Sequence, residues 1–394
     1  MTENPKSAGA LAGVVVIDAS RVLGGPYCGQ VLADHGARVI KVEPPQGDET
    51  RLWGPPFVGD AASYFIGLNR NKEGIALDFS KEEGRAFLLH LLEGADVFIE
   101  NFKTGTLEKW GIGREELRRR FPRLVHARVS GFGEDGPYGG RPGYDAAIQA
   151  LTGIMSVNGE AGGAPVRVGI PVVDIVTGLN AALGVLLALQ EREKSGLGQF
   201  VEAALYDCGI SVMHPHLPNL YLGAAVPGRS GNAHPNITPY DTYACADQDI
   251  FLAVGNNGQF ATLMRVLGAP EAAEDPRFAT NADRKANRPA LRVLLESRLA
   301  EHRAEEIGET LIKAGVPCAP VRTLDQVVAD PHTKARGMIV DIGDSYRGTA
   351  SPIKLERTPA TYRKAPPAFG EDSDAIVEEF GLTDSAALAG LVRR

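Results

Sequence analysis

Short apolar runs alternating with helical stretches dictate what residues 11–130 can become. Val14–Asp18, Arg38–Glu43, Gly74–Asp78, Asp96–Glu100 and Leu124–Val129 are short β-rich runs dominated by Val, Ile, Leu, Phe or Ala. Helical patterns fill the gaps: one through Gln30, Leu32 and Ala33 to Gly36, one from Lys81 to Leu92, and two short ones carrying Trp110 and Arg118-Arg119-Arg120. Strands apolar on both faces belong to a mostly parallel sheet covered by helices on both sides. The expected fold class is therefore α/β, with a Rossmann-like, doubly wound large domain.

A chain of 394 residues exceeds a typical single core, so a second domain is expected. Prolines 215, 218, 227, 235 and 239 punctuate a stretch with little periodicity, which reads as a linker. Beyond it, 240–244 and 250–254 form a hairpin pattern. Helical patterns follow over 258–267, 288–301 and 304–314, then a strand-like Cys318–Arg322. These signals place a large domain over 1–215, a smaller α+β domain over 225–325, and a C-terminal segment, 330–394, packing back on the first.

The net charge of −8 argues against a nucleic-acid partner. Cys28, Cys208, Cys245 and Cys318 form no CxxC pair, and the histidines form no HExxH, so no metal site is expected. Met1 to Gly9 lacks the apolar core of a signal peptide. The most apolar helical segment, 178–189, stops short of the 18 residues needed to span a bilayer. A cytoplasmic protein without membrane attachment is expected.

Four stretches carry candidate chemistry. In Gly169 to Asn180 a lone carboxylate, Asp174, lies between apolar runs where a helix begins. It can cap that helix or act as a nucleophile held ionised by the helix start, and the two roles are compatible. Leu68-Asn69-Arg70-Asn71-Lys72 offers two cations and two amides that suit a phosphorylated ligand, or a solvated loop. Glu100-Asn101-Phe102-Lys103 follows a strand's carboxyl end, where open α/β sheets bind ligands. Gly131 to Asp145 is a glycine-dense loop able to wall the same pocket. Gly24-Gly25-Pro26 departs from GxGxxG, and Pro26 lacks an amide. A nicotinamide dinucleotide, with Glu43 on its ribose, is accordingly a weak fit.

Taken in order, Arg38–Glu43, Asn69–Lys72, Glu100–Phe102, Ser130–Gly133, Arg141–Asp145, Gly169–Gly178, Gly231–Pro235 and Gly315–Val321 resemble the class III coenzyme A transferases, the CaiB/BaiF family. The resemblance extends from about 11 to 390. It implies coenzyme A as acyl carrier, no metal or redox cofactor, and an interlocked homodimer. Asp174 matches the family's catalytic aspartate. The implied coenzyme A contacts are Val22, Leu23, Gly24, Leu68, Arg70, Asn71, Lys72, Asn101, Phe102, Lys109, Arg141, Tyr144 and Asp145. Arg51, Asn232 and His234 are candidate substrate residues; Arg51 suits a distal carboxylate or a surface cap.

The chain departs from the formyl-CoA members at Leu23, where they carry glutamine, and at Pro44, where they carry arginine. Arg229–Asn232 replaces their glycine-rich loop, so formate or oxalate is not the expected acceptor. The implied activity moves coenzyme A from an acyl-CoA donor to a carboxylic acid, a dicarboxylate being one candidate, through an anhydride and an aspartyl-CoA thioester on Asp174. The small domain and its 229–239 loop are the expected cover that keeps water out. Racemisation of 2-methylacyl-CoA is the rival. It needs a second base where this chain has Tyr144, whose hydroxyl ordinarily titrates at about 10, with Asp145 beside it as the substitute base. A non-catalytic CoA-binding protein is the third possibility.

Overall fold

The five apolar runs form five neighbouring strands of one parallel sheet in the computed structural model, which describes residues 9–381 and 389–392. They are β1 (Val15–Asp18), β2 (Arg38–Glu43), β3 (Lys72–Ala76), β4 (Val97–Glu100) and β5 (Val125–Ser130). A sixth strand, β6 (Phe200–Ala204), completes the order β3-β2-β1-β4-β5-β6, parallel throughout. This is the dinucleotide-binding strand order, which reverses between β1 and β4 and opens a crevice beyond the carboxyl ends there. Strand β6 lies at the sheet edge and carries Glu202 and two alanines, so its apolar signal is weak. Strand β3 starts two residues before the expected Gly74 because Lys72 pairs with Val39 and buries its ammonium group.

Five helices cover the sheet or border its carboxyl end: α1 (Gly24–Asp34), α2 (Glu82–Glu93), α3 (Asp145–Leu151), α4 (Val172–Ser195) and α5 (Leu205–Ser211). Helix α4 is twice the length that its most apolar core suggests. By length and composition it could cross a membrane, which corrects the expectation from 178–189. Val173, Thr177, Ala181, Val185 and Ala188 form its buried face, whereas Leu179, Leu183 and Leu187 on another are 43, 54 and 63 % exposed. Gly178 permits its close crossing with α1: a β-carbon there would stand 2.6 Å from the Gly24 carbonyl oxygen and 3.1 Å from the Tyr27 ring.

The chain divides into two compact units. The first comprises Met1–Ile154, Val168–Pro218 and His332–Arg394; the second comprises Met155–Arg167 and Asn219–Pro331. Expectations for residues 1–8, and for the parts of the C-terminal segment at 382–388 and 393–394, lie outside the described residues. Within the first unit the C-terminal stretch closes on the strand β3 edge. The Asn71 side-chain oxygen accepts from the Arg363 and Lys364 amides at 2.6 and 3.2 Å, and the Asp372 carboxylate accepts from the Gly74 amide at 2.7 Å.

The second unit is built on an antiparallel sheet, Cys318–Pro320, Asp249–Ala253 and Tyr240–Ala244 in that order. Ile250, Leu252, Phe260, Leu263, Leu295 and Leu311 form its core. Arg284 is fully buried there and donates to the Thr238 and Phe278 carbonyls and to Asn257, which satisfies a charge that could not otherwise be desolvated.

Candidate active site

Asp174 is the third residue of α4, and its carboxylate is not the cap. The residue before the helix is Pro171, which offers no side chain for that purpose. The cap comes from Asp145, the first residue of α3, whose Oδ1 accepts from the Val173 and Asp174 amides at 2.8 and 3.2 Å. Gln149 donates to Asp145 Oδ2 at 2.6 Å and accepts the Val168 amide at 2.8 Å, fixing the cap. The Val172 amide bonds to the Ile170 carbonyl and the Ile175 amide to the Pro171 carbonyl, so all four leading amides of α4 are taken. No donor or cation reaches the Asp174 carboxylate among the described residues. Burial, and then the charge of Asp145, push its pKa from the ordinary 3.8 up to about 7. Burial and the Asp145 charge thus both oppose the ionised form that the helix start was expected to favour.

Asp174 lines a cavity of about 270 Å³ at the carboxyl end of the sheet. The opposite wall is the turn from β1 into α1. Asn101 clamps that turn from the end of β4, its Oδ1 accepting the Arg21 amide at 2.9 Å and its Nδ2 donating to the Arg21 carbonyl at 2.7 Å. Beneath it Lys41 donates to the Ser20 carbonyl at 2.8 Å. Held so, Val22 adopts φ +72°, a left-handed conformation that is strained for a β-branched side chain. Helix α1 has no side-chain cap, and no protein acceptor reaches the Gly24 or Gly25 amide among the described residues. The positive end of an 11-residue helix is thus left open at Gly24, which lines the cavity.

Of the sequence candidates, Val22, Leu23, Gly24, Asn101, Phe102, Arg141 and Tyr144 line this cavity with Asp174. The Phe102 amide is fixed by Glu100 Oε2 at 2.8 Å. Arg141 lies over the Tyr138 ring, 4.9 Å from its centroid. Tyr144 donates to Glu49 at 3.4 Å, and that carboxylate raises the phenol's pKa further, making it a still poorer base near neutrality. Lys103, from the candidate stretch after β4, lines it too, as do Arg21, Glu49 and Leu205, which the sequence alone did not single out. Arg21 and Glu49 face each other at 3.8 Å. Arg21 directly precedes Val22, so adjacency to a candidate was the available signal there.

The remaining candidates are elsewhere. Lys72 is fully buried and donates to Asp18, the Pro26 carbonyl and Asn69 at 2.8–2.9 Å. Arg70 forms a two-pronged pair with Asp34, joined by Asn71 at 2.9 Å. Leu68 follows a helical turn, its amide bonded to the Phe65 carbonyl, and Lys109 is exposed at the end of a short helix. The solvated or phosphate-facing loop expected over 68–72 is instead a set of buried ion pairs. Arg51 is likewise engaged, holding Glu43 at 2.7 and 2.8 Å and stacking 3.7 Å over Phe65, which also removes Glu43 as a ribose acceptor. In the second unit Asn232 donates to Thr242 at 3.1 Å, and His234 Nδ1 accepts the Asn236 and Ile237 amides. Among the described residues no three His, Cys, Asp or Glu side chains gather as metal ligands.

The burial of Lys72 makes a direct test. Lys72→Met is expected to lower the melting temperature, since it strands the Asp18 carboxylate at a cost of about 3–5 kcal/mol. The KM for acyl-CoA of the folded fraction should stay unchanged. A rise in KM without loss of stability would return Lys72 to the ligand.

A dinucleotide-type parallel sheet, with a buried acid and an uncapped helix start lining one cavity at its carboxyl end, has the architecture of a nucleotide-binding α/β protein. The chain belongs to CoA-transferase family III, whose pattern it matches over residues 11–373. It is 38% identical to the succinate–glutarate CoA-transferase of Agrobacterium fabrum, over 98% of this chain and 100% of that one. It is 37% identical to the acetyl-CoA:oxalate CoA-transferase of Acetobacter aceti, over 98% and 100%. A CaiB/BaiF family protein from Brucella suis superposes with a TM-score of 0.86 at 42% identity, covering 95% of this chain and 100% of that one. The protein is thus an acyl-CoA:carboxylate CoA-transferase with coenzyme A as its substrate carrier. Relatives acting on oxalate and on glutarate are equally similar to it, so overall identity does not separate the acceptors.

Proposed function

We propose that coenzyme A passes through Asp174. Its ionised carboxylate attacks the donor thioester carbonyl, forming a mixed anhydride and releasing CoA thiolate. The thiolate then attacks the aspartyl carbonyl, freeing the donor acid and leaving an aspartyl-CoA thioester. The acceptor carboxylate attacks that thioester to give a second anhydride, and returning thiolate takes the acceptor acyl group and restores Asp174. The observation that carries this reading is a buried carboxylate, free of protein partners among the described residues, lining a cavity at the sheet's switch point. Because the leading amides of α4 are already bonded, two of them to Asp145, the oxyanions fall to the open Gly24 and Gly25 amides.

Val22, Leu23, Gly24, Asn101, Phe102 and Arg141 contact coenzyme A in this reading, with Lys103 added to the cations. A dicarboxylate acceptor places its distal carboxylate on Arg21 in place of the occupied Arg51. Tyr144, exposed and bonded to an acid, supplies no support for the racemase. Incubation with succinyl-CoA followed by hydroxylamine should leave a hydroxamate on the peptide containing Asp174, read by mass spectrometry. Full exchange without any adduct there would overturn the covalent route. We also propose a homodimer, supported by the exposed leucine face of α4. Sedimentation equilibrium should give twice the chain mass, and a monomer at micromolar concentration would overturn it.

A further inference from the structure

A second cavity, of about 260 Å³, opens at the amino-terminal edge of the same sheet. Its lining includes Arg114, Arg118, Gln199, Phe200 and His126. Arg114 and Arg118 come from the helix Arg114–Arg120, His126 from the second position of β5 and Phe200 from the first of β6. The Arg114 guanidinium lies 4.4 Å over the Phe200 ring, with no acid partner among the described residues. Among the described residues Arg118 holds only the exposed Glu115, at 2.9 Å, a pair that solvent screening makes weak.

His126 supplies a second, independent observation. It is 4 % exposed, clamped between Phe98 and Phe200 at 5.3 and 5.0 Å. Its Nε2 faces Glu100 Oε1 at 3.2 Å, because residues 98 and 100 of β4 point to the same side as 126 and 128 of β5. Its Nδ1 is buried without a hydrogen-bond partner among the described residues. A buried ring nitrogen left so is costly, and the ring lines a cavity bearing two guanidinium groups. With Nε2 turned to Glu100, Nδ1 is the ring atom left for a ligand to satisfy.

We propose that this cavity binds a small oxyanion, a carboxylate or phosphate group, between Arg114, Arg118 and His126 Nδ1. The site is separate from the catalytic cavity, with which it shares no lining residue. The test uses the full-length protein saturated with coenzyme A, which occupies the catalytic cavity, titrated calorimetrically with inorganic phosphate and separately with acetate. Saturable binding of one or both anions is expected, and which one binds identifies the group. The Arg114→Ala/Arg118→Ala variant, whose positions lie outside the catalytic cavity, should keep its acyl exchange and lose at least tenfold in anion affinity. With labelled histidine, the His126 ring resonances should move along the same isotherm. No saturable heat and no His126 shift up to about 10 mM anion, or equal affinity in the variant, would overturn the proposal.

Discussion

Asp174→Asn is expected to abolish acyl exchange and, above pH 7, to make the protein more stable. Loss of the nucleophile should cost on the order of 10³-fold or more in turnover, with no hydroxamate formed. The stability gain follows from the raised pKa, about 7 in the fold against 3.8. A carboxyl group whose folded pKa is raised binds its proton more tightly in the folded chain. Stability therefore falls as pH climbs from about 4 to about 7 and stays low beyond. A shift of about three units corresponds to at most about 4 kcal/mol. Asparagine carries no charge to desolvate, so the variant should lose this pH dependence. Its melting temperature should match wild type near pH 4 and exceed it at pH 8. Equal melting temperatures at both values would mean that Asp174 is solvated, contrary to its burial.

The second large effect belongs to Asp145, which has two separable duties. Its charge lifts the Asp174 pKa, and its Oδ1 caps α4. Asp145→Asn keeps an oxygen for the Val173 and Asp174 amides once the Gln149 amide turns round, and it removes the charge. The acidic limb of its rate–pH profile should move to lower pH, with a smaller loss of melting temperature than in the alanine variant. Asp145→Ala removes both duties, so the same shift should come with a loss of about 1 kcal/mol or more from the vacant cap. An acidic limb unmoved in Asp145→Asn would show that burial alone sets the acidity of Asp174.

The sheet was legible because β1 to β5 are buried on both faces and so stay rich in apolar residues, even where paired charges such as Lys41 and Arg128 interrupt them. Strand β6, at the edge with Glu202 in its middle, has no such signature. At the site, Asp174 stood out as a charge between apolar stretches, but its surroundings did not. The residue that caps its helix lies 29 positions upstream. The 68–72 loop misled for the same reason. Lys72 and Arg70 look like cations awaiting a ligand until folding brings Asp18 and Asp34 from 54 and 36 positions away. Partners this far apart leave no local trace, so buried pairs and ligand-seeking cations share one spelling.

Asn71 illustrates a cost of that distance that falls on the ribosome. Its side chain, early in the chain, bonds the Thr361 carbonyl and the Arg363 and Lys364 amides. The strand β3 edge likewise waits for Asp372, whose carboxylate holds the Gly74 amide. A nascent chain that has just passed Pro331 has translated every strand of its large sheet and all of its second unit. Yet the Asn71 and Gly74 amides on its β3 border are unmet, and the Asn71 carboxamide reaches Asp34 but not its three C-terminal partners. Such a border invites pairing with a neighbouring nascent chain. For this enzyme the hazardous interval lies between the completion of β6 and the emergence of the last few dozen residues.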